Sequence, residues 1–234
     1  MRALSNSDVI DLWERGSLLH PLDKGLLALG AAFPETPYDS LAALPLGRRN
    51  SALAELRCTS FGPSLQAWTS CPRCREKLEF EMDALALFNQ DEASLNEPIS
   101  ANGHSYHLPS SRDLARATAE PDPRLAAIRL LESCRLEAGE PPAWSEEDLE
   151  EVGEKMALAD PMAETRLALR CPNCGNQWDE TLDIATFLWA EIEARAKRLL
   201  REIHTLAAAY GWTEKEILSL SQSRRTFYLN MVEL

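Results

Sequence analysis

The stretch SCPRC at residues 70–74 returns as RCPNC at residues 170–174. Each is a C-P-x-C turn, and such a turn offers two sulfurs from one tight bend. Its backbone N–H groups can donate to the thiolates. A tetrahedral metal takes four ligands, so one turn supplies half a site. The repetition predicts that Cys71, Cys74, Cys171 and Cys174 form a single four-cysteine site. The expected ion is one structural Zn2+, with iron the other metal that suits four sulfurs. Pro72 and Pro172 fix φ within each turn. Gly175 suits a left-handed position just after the second turn, whereas Arg75 stands where glycine is expected in the first. Arg73, Arg75, Lys77 and Arg170 lie close enough in sequence to offset the charge of about −2 on a zinc tetrathiolate.

The flanks extend the match. Leu65, Trp68, Leu78, Phe80 and Met82 predict two strands around the first turn, and Leu167 and Leu169, then Trp178, Glu180 and Leu182, predict two around the second. An offset of 100 pairs Cys71 with Cys171, Leu78 with Trp178, Met82 with Leu182 and Asp83 with Asp183. It also sets ALALF opposite IATFL as two helix starts. The chain therefore reads as an internal repeat broken by an insertion. The expected fold is α+β and mostly helical, around a central zinc ribbon made of 64–83 plus 164–183. An N-terminal helical region (1–63), an inserted hairpin and helical lobe (84–163) and a C-terminal helical region (184–234) complete it.

Helical periodicity supports that outline. DVIDLWERG places Val9, Ile10, Leu12 and Trp13 near one face, with Ser7 as the expected cap. HPLDKGLLALGAAFP follows, with Pro21 at its first position and Pro34 past its end. PLGRRNSALAELR is a third helix carrying Leu53 and Leu56, while PETPYDS and FGP read as turns. In the insertion, Asn102-Gly103 signals a hairpin. SRDLARATA, DPRLAAIRLLESCRL and SEEDLEEVGEKMALA read as helices, with Ser111 and Ser145 as caps and Pro141-Pro142 as a break. A long helix over 184–210 carries a stripe of Leu188, Ile192, Leu199, Ile203, Leu206 and Tyr210. Its wet face offers the pairs Glu191–Arg195 and Glu193–Lys197. Gly211 ends it, Thr213 with Glu216 caps a short helix, and Ser221 caps the last.

Composition narrows the function. The net charge of −13 disfavours general nucleic-acid binding. No run approaches the ~20 apolar residues of a membrane span, and the N-terminus lacks the pattern of a signal peptide. A cytoplasmic location is expected, where paired cysteines bind metal more readily than they form disulfides. A thioredoxin-like redox centre would want one C-x-x-C at a helix start. Cys58 and Cys134 read as core residues. His104 and His107 flank Tyr106, but no carboxylate or cysteine pattern in the sequence joins them. The carboxylates of DLEEVGEKMALAD read as a solvated helix face. No catalytic motif is present, and the expectation is a protein without enzymatic activity.

The layout resembles the baseplate hub assembly proteins of T-even-type bacteriophages, a family also found in gene clusters for contractile phage tail-like and extracellular injection particles. The resemblance is carried by DLWERGSLLHPLDKGLLALGAAFP (11–34), the two CPxC hairpins, YHLPSSRDLARA (106–117) and the segment from Asp183 to Met231. Its most specific piece is AYGW-x-E-x-EIL-x-L-x-x-x-RR-x-x-YL. It implies assembly work through protein–protein binding, with baseplate or hub proteins as partners. The location would be the cytoplasm or the finished tail-like particle. The resemblance fixes no binding residue. Trp212, Arg224, Arg225 and Tyr228, on the C-terminal helical unit, are the residues expected to face a partner. The competing expectation is a nucleic-acid-binding zinc-ribbon regulator, which would need a basic face.

Overall fold

The computed structural model describes residues 1–83, 97–137, 139 and 143–232. The chain opens with four helices: α1 (Asn6–Gly16), α2 (Pro21–Ala32), α3 (Tyr38–Ala42) and α4 (Leu46–Phe61). Ser5, not Ser7, caps α1. Its hydroxyl accepts from the Asp8 N–H, and the Asp8 carboxylate accepts from the Ser5 N–H. Ser5 and Ser7 can both cap, and the acid three residues after Ser5 selects it. Pro21 takes the first position of α2, as expected. The short α3 lies where PETPYDS suggested only a turn.

Two strands, β1 (Ser64–Ser70) and β2 (Lys77–Asp83), form the first hairpin. The inserted segment then gives β3 (Ile99–Ala101), β4 (His104–Tyr106), α5 (Ser111–Ala117), α6 (Pro123–Cys134) and α7 (Glu146–Ala159). The second hairpin is β5 (Thr165–Arg170) with β6 (Gln177–Leu182). The chain closes with α8 (Ile184–Tyr210), α9 (Glu214–Ser219) and α10 (Gln222–Val232). The fold is α+β and mostly helical, and its strands pair antiparallel in separate two-stranded sheets. The helix start expected at ALALF and the break at Pro141-Pro142 lie outside the described residues.

The spine is α8. Its buried face presents Leu188, Ile192, Leu199, Ile203 and Leu206 to α1, α2, α4 and α9. Tyr210 sits at the rim, and Gly211 ends the helix in a left-handed conformation at φ 69°. Asp183 starts α8 by accepting from the Ala185 and Thr186 N–H groups. The Glu193–Lys197 pair forms as the spacing predicts, at 2.5 Å. Glu191 instead turns inward to Arg57 on α4, with two N–O contacts of 2.8 and 2.7 Å. A partly buried bidentate guanidinium contact outweighs an exposed pair worth only tenths of a kcal/mol, ~0.3–0.5.

The insertion has a core of its own. Ala101, Tyr106, Leu131, Cys134, Val152 and Met156 pack together there. Asn102 and Gly103 both adopt positive φ, 51° and 74°, the pairing a tight hairpin turn needs. Ser110, one residue before the expected Ser111, caps α5 together with Asp113. Ser145 caps α7 as expected. The lobe is joined to α4 by polar contacts. The Gly47 N–H donates to Asp160 Oδ2 at 2.8 Å, and Asn50 Nδ2 donates to the Met162 and Ala163 carbonyls. Among the described residues no helix is long and apolar enough to cross a membrane.

Candidate metal centre

The two hairpins share a register built around the knuckles. Ser70 pairs with Lys77 in the first, and Arg170 pairs with Gln177 in the second, at the predicted offset. Each strand pair ends at its CPxC turn. In the first, the Cys71 N–H donates to the Glu76 carbonyl and the Arg75 N–H donates to the Cys71 carbonyl. In the second, the Cys171 N–H donates to Asn176 O and the Gly175 N–H to Cys171 O. The local geometry is thus the same, down to a left-handed residue: φ is 61° at Arg75 and 72° at Gly175.

The hairpins meet face to face. Leu65, Ala67 and Thr69 of β1, with Leu78, Phe80 and Met82 of β2, form the more buried face of the first. Trp68 is a correction to the sequence reading. It lies three residues after Leu65, which is odd parity on a strand, so it points the other way and is 72% exposed. Between the hairpins, Thr69 Oγ1 donates to Glu180 Oε2 at 3.1 Å, and within β6 Trp178 Nε1 donates to the same oxygen at 3.2 Å. Leu65 at the root joins the core around α8, which fixes the base of the pair.

At the tips all four sulfurs lie within 4.8 Å of one another. Cys71 Sγ is 3.7 Å from Cys174 Sγ, and Cys74 Sγ is 3.6 Å from Cys171 Sγ. Metal–sulfur bonds of about 2.3 Å arranged tetrahedrally require sulfurs about 3.8 Å apart. Disulfide sulfurs sit at about 2.05 Å, so these separations suit a shared cation rather than crosslinks. The four cysteines are therefore compatible with a metal ion. Cys71 and Cys171 are each 1% exposed, while Cys74 and Cys174 sit nearer the surface.

Backbone donors prepare the sulfurs for negative charge. Burial opposes ionisation of Cys71, but the N–H groups of Cys74 and Arg73 and the thiols of Cys174 and Cys74 outweigh it. The Cys71 thiol falls to about 7. At Cys74 the Glu76 N–H also favours the thiolate. There, burial and the Cys174, Cys171 and Cys71 thiols prevail, pushing the thiol up to about 12. Four crowded thiols hold one negative charge easily and resist more. A divalent cation removes that competition. Asn173 Nδ2 adds a long side-chain contact to Cys74 Sγ at 3.9 Å.

The other expected site residues are not alike. Trp212 and Tyr228 are half-buried and pack on Tyr210, with Trp212 stacked on Tyr210 at 4.7 Å and edge-on to Tyr228 at 4.9 Å. Arg224 is exposed. Arg225 cannot face a partner, because it is 1% exposed. Its Nε contacts Glu202 Oε2 at 2.8 Å, and its Nη1 donates to the Leu220 carbonyl. One grouping had no signal in the sequence. His107, Asp113 and Cys134, from three separate places in the insertion, bring ligand atoms within 4.8 Å of one another. Comparison with protein-family models, curated proteins and solved structures finds no match to this chain.

Proposed function

We propose that the chain is a non-enzymatic, zinc-stapled binding protein that helps build the baseplate of a phage or phage tail-like particle. In this reading the hairpins form a zinc ribbon, and Cys71, Cys74, Cys171 and Cys174 hold one structural Zn2+. Four protein sulfurs complete the tetrahedron and leave no open position for a substrate or an activated water. The ion then ties together two segments about a hundred residues apart and contributes on the order of 10 kcal/mol to folding.

The observation that carries the binding role is the surface of α10. Phe227 is 65% exposed and Met231 44%, beside the exposed Arg224 and above the Tyr210–Trp212–Tyr228 ring cluster. This is also the segment in which the sequence resembles the baseplate family most specifically. An apolar patch with one cation, on a chain of net charge −13, suits a protein partner better than a nucleic acid.

The test is co-purification from the native host. Phe227→Ala with Arg224→Ala should deplete baseplate or hub proteins from the captured material, with the thermal midpoint unchanged. Equal recovery of those proteins with the double variant would reject this surface. Absence of any tail protein from the wild-type capture would reject the baseplate role itself.

A further inference from the structure

We propose that the outer face of the first hairpin binds an extended, arginine-bearing segment of a partner protein through Trp68, Glu79 and Glu81. This surface lies on β1 and β2, away from α10, and is independent of the baseplate reading.

The register builds the site. Trp68 stands opposite Glu79, and Gln66 stands opposite Glu81. Opposed side chains on a strand pair are about 5 Å apart at Cβ and diagonal ones about 7–8 Å, so both carboxylates lie within reach of the indole. These four residues, with Ala67 and Phe80, line a concavity of about 520 Å³. The indole is 72% exposed at its edge. Among the described residues neither carboxylate is paired with a cation, and Glu81 is held in place by the Ser64 hydroxyl. The same face carries Asp83 as well, against the single cation Lys77 near the tip.

An electron-rich ring between two free carboxylates selects a cation. A guanidinium fits it best, because it stacks flat on an indole while its edge N–H groups pair with carboxylate oxygens. A phosphate backbone would be repelled by the same charges.

The second hairpin shows that folding does not require these groups. With the same strand pairing, the offset of 100 puts Arg166, Ala168, Asp179 and Thr181 at the positions of Gln66, Trp68, Glu79 and Glu81. That face has no ring and one carboxylate, which Arg166 and Thr181 do not extend. A large apolar side chain left in water on only one of two matching hairpins points to a partner. The sheet is two-stranded, so among the described residues no further strand pairs with the outer edge of β2. An extended segment can align there by main-chain hydrogen bonds and send an arginine across Glu79 and Glu81 to the ring.

The test titrates the full-length, metal-loaded protein with a fluorescein-labelled Gly-Arg-Gly-Arg-Gly peptide, and with the same peptide carrying citrulline, which keeps the shape and removes the charge. Wild type should bind the arginine peptide about tenfold more tightly than the citrulline one. Trp68→Ala and the double variant Glu79→Gln with Glu81→Gln should each weaken it by about fivefold or more. Neutralising two exposed carboxylates elsewhere, Glu147→Gln with Glu150→Gln on α7, should change it less than about twofold. Since all five side chains are exposed, thermal midpoints should match wild type, and the conservative Glu→Gln pair keeps the test intact should Trp68→Ala misfold. Equal binding of the two peptides would overturn the proposal. So would the same loss in the α7 variant, which would mean general attraction to an acidic chain. A wild-type dimer that Trp68→Ala converts to monomer, with no peptide bound by either, would assign the face to a second copy of this chain and overturn it too.

Discussion

A guanidinium buried at position 225 changes what a substitution there reports. Arg225 sits beneath α10 with its charge answered by Glu202 and the Leu220 carbonyl. Removing one partner of a buried pair strands the other, at about 3 kcal/mol where the second group keeps some solvent contact. Arg225→Ala should therefore lower the stability read from urea unfolding by that amount, while Arg224→Ala one residue away stays within about 0.5 kcal/mol. Equal midpoints for the two variants would contradict the burial. Nothing in RR at 224–225 distinguishes the two arginines, because a helix turns by about 100° per residue and only the tertiary contact decides which one goes in. The same limit applies to Glu191, whose sequence neighbour Arg195 loses to Arg57, 134 residues away. It applies most strongly to His107, Asp113 and Cys134, whose spacing matches no motif. The four knuckle cysteines were legible because both members of each pair lie in one turn, where local geometry dictates the spacing.

Among the elements, the two knuckles form a natural comparison. Both place the residue after the second cysteine at positive φ, 61° for Arg75 and 72° for Gly175. A side chain in that conformation costs roughly 1–2 kcal/mol, and glycine avoids it. Gly175→Ala should thus destabilise the second hairpin by about 1 kcal/mol, read as a lower thermal midpoint of the metal-loaded protein. Arg75→Gly should help by less than that, since glycine also gives the unfolded chain more freedom. A midpoint for Gly175→Ala equal to wild type would show that the turn tolerates a Cβ without strain. A second element-level contact is tighter. Gly16 ends α1 against the Trp189 ring of α8, and a Cβ there would fall 2.0 Å from Cη2. Gly16→Ala should cost about 1–3 kcal/mol by overpacking. Adding Trp189→Leu should recover part of that loss, a non-additivity measurable by urea unfolding. Apart from the short α3, the described helices and hairpins were readable from pattern and turn signals to within a few residues. Caps were not, where serines stand close together, and strand facing failed at Trp68 because alternation fixes faces only by parity.

On the scale of the whole molecule, the inserted lobe is held at several places. One is the four-sulfur cluster, which joins the hairpins on either side of the insertion. Another is the first half of α4, where Gly47 and Asn50 bind Asp160, Met162 and Ala163 at the lobe's exit and Leu46 and Arg49 bind Pro109 and Ser111; Arg112 adds a contact to Asp39. The core around α8 draws on α1, α2, α4 and α9 and needs only the hairpin roots. These facts set the order in which the molecule should come apart. On the proposed four-cysteine metal site, a strong chelator at neutral pH should expose the knuckles first, because a metal bound only by the folded form stabilises that form. Hydrogen exchange should then rise by roughly tenfold or more across 64–83 and 164–183, while α4 and α8 keep their protection. Alkylation followed by mass spectrometry should label Cys71, Cys74, Cys171 and Cys174 only after chelation. Asn50→Ala alone should leave those cysteines shielded, since Gly47, Leu46 and Arg49 still hold the lobe to α4. Uniform loss of protection across every element on chelation alone would mean that the proposed metal supports the helical core as well, and that the contacts at α4 do not act as an independent tie.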